Sequence, residues 1–283
     1  MKAAFWILTA GAVASAVMAG TLSRAADPIP VSLTRLDCGA VQVNDLNAFS
    51  DTNAYTGQSK RLTDSCYLIQ HGETYMLWDT GLPLALKGSA VDDKVAMSPT
   101  FDKTIKEQLA VLKVKPEQIS FIGISHYHFD HIGQAADFPN AKLLIGKGDW
   151  EALTADPLPF GANPALLEHW LKGDGAVEGV SGDKDIFGDG SVVMLGMPGH
   201  TPGHHSLKVT LAKTGTVLLT GDVTHFHENY DSNGVPGFNT DRADTLASLE
   251  RFKQIAGNEK AMIVIQHDMR DIEKLPAFPE AAR

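Results

Sequence analysis

The feature that most constrains this chain is a short apolar run that ends in a dense cluster of metal-binding side chains. Phe121 to Ser125 reads as a buried strand of mainly large apolar residues. His126-Tyr127-His128-Phe129-Asp130-His131 follows it without a gap. Two histidines alone would be a common solvated pair. His126, His128, Asp130 and His131 within six residues are not. A tight turn after a strand can aim the first two histidines one way and Asp130 with His131 another. Imidazole and carboxylate together suit zinc, iron, cobalt or manganese.

The rest of the chain repeats this pattern more thinly. Hydrophobic residues make up 43% of the 283 and charged residues 20%, ordinary values for a folded domain with a sizeable core. Val31 to Cys38 alternates like a strand, and residues 44–60 are polar and loop-like. Cys66 to Gln70 and Thr74 to Trp78 read as a hairpin around His71-Gly72, ended by Asp79-Thr80-Gly81. Residues 101–113 carry helical spacing, Ala141 to Ile145 is a strand, and Asp149 to Leu153 opens a helix. Val192 to Leu195, Ser206 to Leu211 and Val217 to Thr220 are further strands. A helix over Arg242 to Ile255 and a strand over Ala261 to Gln266 close the chain. This alternation predicts mixed sheets with helices outside, an α/β architecture. His200, Asp222 and His267 each stand just after a strand. Any one alone would be a turn or cap residue. Together with the first cluster they supply ligands for a second ion. Loops at strand ends are where a rigid scaffold presents functional groups.

Residues 155–190 differ from their surroundings. They are rich in Gly, Pro and Asp and predict a lid-like insert with a helix near 163–172. Phe160 and Trp170 are the candidate substrate-binding residues there, since an apolar part of a ligand needs an apolar groove. The loop from Asn44 to Tyr55 is the alternative wall.

The first 25 residues predict an export signal: Lys2, an apolar stretch from Ala3 to Leu22, then Ser23-Arg24-Ala25 as a cleavage site. The rival reading is an uncleaved anchor of nearly membrane-spanning length. Cleavage after Ala25 would take the formal charge from −10 to −12. The expectation is a periplasmic or secreted protein with no stable membrane association. So acidic a chain without a basic run argues against nucleic acid as a partner. Export permits a disulfide between Cys38 and Cys66, and two small buried thiols are an equal reading.

The ligand series His126-x-His128-x-Asp130-His131, His200, Asp222, His267 resembles that of the metallo-β-lactamase superfamily. The resemblance covers nearly the whole chain from about residue 31. It implies an αββα sandwich with the site along one edge of the two sheets. It assigns His126, His128 and His200 to one metal, Asp130, His131 and His267 to a second, and Asp222 as a bridge between them. Asp79 in Trp78-Asp79-Thr80-Gly81 would support the site from behind. Two divalent ions are implied, zinc first, with cobalt, iron or manganese as alternatives.

Within that superfamily the chain is most similar to N-acyl homoserine lactonases. Leu36-Asp37-Cys38-Gly39, Met76 to Gly81, Ser125 to Gly133, Pro198 to Leu207 and Gln266-His267-Asp268 carry this resemblance. It implies that a metal-bridging hydroxide opens a lactone ring, with Asp130 moving a proton. Where lactonases often carry a Tyr three residues after the bridging Asp, this chain has His225, the candidate oxyanion donor. Tyr230 is a further residue in reach by sequence. His204 and His205 could support the site, and His71, His169 and His227 read as structural. An exported organophosphate triesterase or arylesterase would share the ligands. A glyoxalase II thioesterase lacks support in the run after Asp222, and a non-catalytic metal binder fits a bridged site poorly. A homodimer stays open.

Overall fold

A computed structural model describes residues 1–5 and 29–283. The expected export signal therefore lies largely outside the described residues. Among them, no helix is long and apolar enough to cross a membrane.

Twelve strands form two sheets among the described residues. The first contains β1 (Val31–Val43), β2 (Lys60–His71), β3 (Thr74–Trp78), β4 (Met97–Thr100), β5 (Ile119–Gly123), β6 (Lys142–Gly146) and β7 (Val177–Val180), in the order β4-β1-β2-β3-β5-β6-β7. The second contains β8 (Lys184–Asp185), β9 (Val192–Gly196), β10 (His205–Leu211), β11 (Gly215–Leu219) and β12 (Met262–Val264), in the order β12-β11-β10-β9-β8. Pairing in the first sheet is antiparallel from β4 to β3 and parallel from β3 to β7.

Side-chain alternation along β2 shows why the sheets stack. Cys66 and Leu68 face an outer layer with Ile105, Leu109 and Ile132. Tyr67 and Ile69 face inward, against Val209 and Leu219 of the second sheet. The outer face of the second sheet, through Leu195 and Leu218, receives Leu249, Phe252 and Ala256 from the helix Arg242–Glu259. Three apolar layers between helix, sheet, sheet and helix make the αββα sandwich that the sequence resemblance implied.

Several boundaries differ from the sequence reading. β1 runs on to Val43, past a register shift between Asp37 and Gly39, and β4 pairs with its far end. Cys38 lies at this irregularity and is bonded to Cys66, with Cα atoms 5.8 Å apart. Residues 155–190 are not a detached lid. Their later part supplies β7 and β8, which hydrogen-bond to β6 and β9 at one end of each sheet. The earlier part touches the site through an isolated bridge between His128 and Ala162.

Candidate metal centre

The site lies where strand-end turns from both sheets meet. The turn after β5 brings His126, His128, Asp130 and His131. The turn between β9 and β10 brings His200, the one after β11 brings Asp222 and His225, and the one after β12 brings His267. His126, His128, His200 and Asp222 form one group whose ligand atoms lie within 4.8 Å of one another, and Asp130, His131 and His267 form another. The structure thus brings together all seven residues singled out as ligands in the sequence.

Asp222 connects the groups. Its Oδ2 lies 3.5 Å from His126 Nε2 and 3.3 Å from His200 Nε2. Its Oδ1 lies 3.5 Å from His131 Nε2 and 2.9 Å from His267 Nε2. One carboxylate therefore offers one oxygen to each set.

The ring orientations leave the inward nitrogens free. Outer Nδ1 atoms are held by partners: His131 by Asp79 at 2.9 Å, His200 by Asn239 at 2.8 Å, and His267 by the Thr63 carbonyl at 2.7 Å. Ser125 Oγ lies 3.0 Å from His126 Nδ1. Such contacts fix the ring and its tautomer and leave Nε2 as the ligand atom. His128 is the exception, pointing Nδ1 inward, 3.0 Å from His200 Nε2. Asp79 also accepts hydrogen bonds from Ser125 N at 2.7 Å and from Gln266 Nε2 at 2.6 Å.

The residues fit a cation on their own chemistry. His200 Nε2 lies 3.2 Å from His126 Nε2 and 3.0 Å from His128 Nδ1, three lone-pair carriers crowded together in a buried space. Burial pushes His126 and His128 well below the usual imidazole range, so both are neutral, ligand-ready rings. Asp222 Oδ1 is buried without a hydrogen bond. Burial would raise the Asp222 carboxyl, but His267, His225, His131 and His126 together hold it well below the usual range. Burial opposes charge on His131, yet Asp222, Asp79 and Asp130 hold it well above the usual value. A divalent cation in each set would take up this excess of neutral donors and carboxylates.

His225 stands beside this centre, with Nε2 at 3.1 Å from Asp222 Oδ2. Its Nδ1 is buried and unpartnered. Burial lowers its pKa to about 4, so the ring is neutral and can donate one N–H. His204 accepts the Asp222 backbone N–H at 2.7 Å and donates to the Met197 carbonyl at 2.9 Å, which fixes where the Asp222 carboxylate sits.

A cavity opens over the ligands, with an apolar wall of Val41, Phe49, Leu62, Met97, Phe160 and Phe238. Phe160 is 63% exposed at its mouth, tilted against Phe238 at 5.4 Å. Trp170 requires correction: it is buried in the outer helix–sheet core and donates to the Ala141 carbonyl, so it cannot line this groove. Tyr230 packs with the helix layer of the second sheet and does not line the cavity either.

Sequence reasoning missed Asn239, Asp64 and the role of Asp149. Asn239 lies in an irregular loop, where no periodicity marks it. Asp64 is a buried carboxyl in β2 with neither oxygen hydrogen-bonded. Burial first, then Asp130, pushes it well above the usual carboxylate range. It stands in the polar first half of β2, between Thr63 and Ser65, where the sequence offers no signal for burial.

The sandwich and this double ligand set define a class: the chain belongs to the metallo-beta-lactamase superfamily, whose family model matches residues 61–267. Among named relatives, it is 32% identical over 224 residues to an N-acyl homoserine lactonase of a Bacillus species, covering 76% of this chain and 85% of that one. It is 31% identical over 188 residues to N-acyl homoserine lactonase AttM of Azorhizobium caulinodans, covering 64% and 68% respectively. A solved N-acyl homoserine lactone hydrolase, with the product N-hexanoyl-L-homoserine at its catalytic metal center, superposes with a TM-score of 0.77. It is 25% identical, over 90% of this chain and 100% of that one.

Proposed function

We propose that this protein opens the lactone ring of N-acyl homoserine lactones at a pair of divalent ions, zinc being the first expectation. The observation that carries the reading is the split carboxylate of Asp222, one oxygen toward each histidine group, beneath an apolar cavity. Likeness to the lactonases supports the substrate class. His126, His128 and His200 would hold one ion, Asp130, His131 and His267 the other, and Asp222 both.

When bound, such a pair supplies Lewis acidity and a water acidified to a pKa of about 7. The chain's own residues do the rest. His225, neutral through burial, would turn its one N–H from the Asp222 carboxylate, 3.1 Å from Nε2, to the ester oxygen as negative charge develops there. Asp130, its side chain 16% exposed and lining the cavity, would take up the proton given up by the attacking water and pass it to the ring oxygen as the ester bond breaks. The apolar wall would take the acyl chain.

Hydrolysis rates across acyl homoserine lactones of different chain length, with chelator controls, test the reading. Lactones should be turned over faster than phosphotriesters and aryl esters, and chelation should abolish it. Faster phosphotriester or aryl ester turnover would favour the rival hydrolase. Bound metal without turnover of any ester would favour a binder. Export to the periplasm or medium is part of the proposal. The Cys38–Cys66 bond supports it, because oxidising compartments preserve disulfides. N-terminal sequencing of the mature protein should begin just after Ala25, and an intact Met1 on membrane-bound protein would favour the uncleaved anchor instead.

A further inference from the structure

Asp149 belongs to neither ligand group, yet it is 0% exposed. It sits in the short helix Lys147–Ala152, directly after β6. Its Oδ2 accepts hydrogen bonds from the Thr201 hydroxyl at 2.8 Å and from the Tyr127 backbone N–H at 3.2 Å. Its Oδ1 accepts the Gly203 backbone N–H at 2.6 Å. Tyr127 lies between His126 and His128, and Thr201 directly follows His200. One buried carboxylate therefore ties together the two turns, from different sheets, that carry these three histidines.

The surrounding backbone leaves no slack. A Cβ on Gly203 would lie 2.4 Å from Asp149 N, and one on Gly146 would lie 1.8 Å from the Gly203 carbonyl oxygen. The turn from His200 to Gly203 is thus pressed against the start of the helix. The other group has separate supports: Asp79 behind His131 and the Thr63 carbonyl behind His267.

We infer that Asp149 is a positioning residue for the first metal ion alone, acting as a clamp between the His126–His128 turn and the His200 turn. The inference rests on the two-ion reading above. Asp149→Asn keeps the size and costs the clamp one main-chain link in either orientation. With its oxygen toward Gly203, the NH2 opposes the Tyr127 N–H and the link to the His126–His128 turn is lost. With its oxygen toward Tyr127 and Thr201, the NH2 opposes the Gly203 N–H and the His200 turn keeps only the Thr201 hydroxyl.

The test counts ions per chain in wild type, D149N and T201V. Zinc-loaded protein is dialysed against buffers of graded free zinc, and visible spectra of cobalt-loaded samples report ligand geometry. Wild type should hold two ions. D149N should keep one at wild-type affinity and bind the other about 10–100-fold more weakly, the usual effect of removing a group behind a metal ligand. The cobalt spectrum should change for the weakened ion only. D149N/H267A should hold none at a zinc concentration where H267A holds one. T201V, which loses one bond and keeps both main-chain links, should weaken the same ion several-fold. It carries the test if D149N does not fold. Two ions bound normally by folded D149N, or both ions weakened alike, overturns the positioning role. Unchanged binding in T201V overturns it in the second case. Fewer than two ions in wild type overturns the dinuclear reading and the clamp with it.

Discussion

Asp79→Asn is the sharpest probe of the second ligand group. Asp79 is fully buried and accepts three hydrogen bonds: Ser125 N at one oxygen, and His131 Nδ1 and Gln266 Nε2 at the other. An asparagine has one acceptor oxygen where the aspartate has two. If that oxygen faces His131 and Gln266, the new NH2 meets the Ser125 N–H. If it faces Ser125, two donors are left opposing an amide. Leaving one buried donor unpaired costs about 1–3 kcal/mol. For a domain of this size that lowers the melting temperature by about 2–4 °C per kcal/mol. The carboxylate also keeps His131 Nε2 electron-rich, so metal affinity at His131 should fall about 10–100-fold. The assays are thermal unfolding of metal-free protein and zinc competition with a chelator. D79N with wild-type stability and two wild-type metal affinities would show that these three bonds do not organise the site.

Other expectations follow from the same geometry. Alanine at His225 should leave two ions per chain and slow lactone turnover by about 10²–10³, the scale for one oxyanion donor. A wild-type rate would remove His225 from the reaction. Phe160→Ala should alter chain-length preference with little effect on stability, while Trp170→Ala should cost about 3–5 kcal/mol with no change in preference. The opposite pattern in chain-length profiles and urea melts would relocate the groove. Burial pushes the Asp149 carboxyl up to about 7, against the hydrogen bonds that favour its charge. In metal-free protein the folded chain then holds a proton there that the unfolded chain releases near the usual carboxylate pKa of about 4. Asp149 therefore weakens folding progressively as pH rises from about 4 to about 7. Urea unfolding across that range should show a shallower fall in D149N, and an identical slope would contradict this.

The sequence by itself determined which side chains meet at the site. Four of them fall within six residues directly after an apolar strand, which carries such a cluster to a strand end. His200, Asp222 and His267 were legible because each follows an apolar run that can only be a buried strand. The strand and helix pattern predicted only mixed sheets with helices outside, and the layer order came from the family resemblance of the ligand series.

Only the tertiary structure decided what stands behind the ligands. Asn239 and Asp149 act across gaps of 39 and 52 residues, on His200 and Thr201. No local pattern encodes which turn a side chain will meet once two sheets are stacked. Trp170 shows the same limit in reverse. An aromatic in a Gly- and Pro-rich stretch suits a groove or a core equally, and only the packing of residues 163–171 against the outer sheet face chose the core.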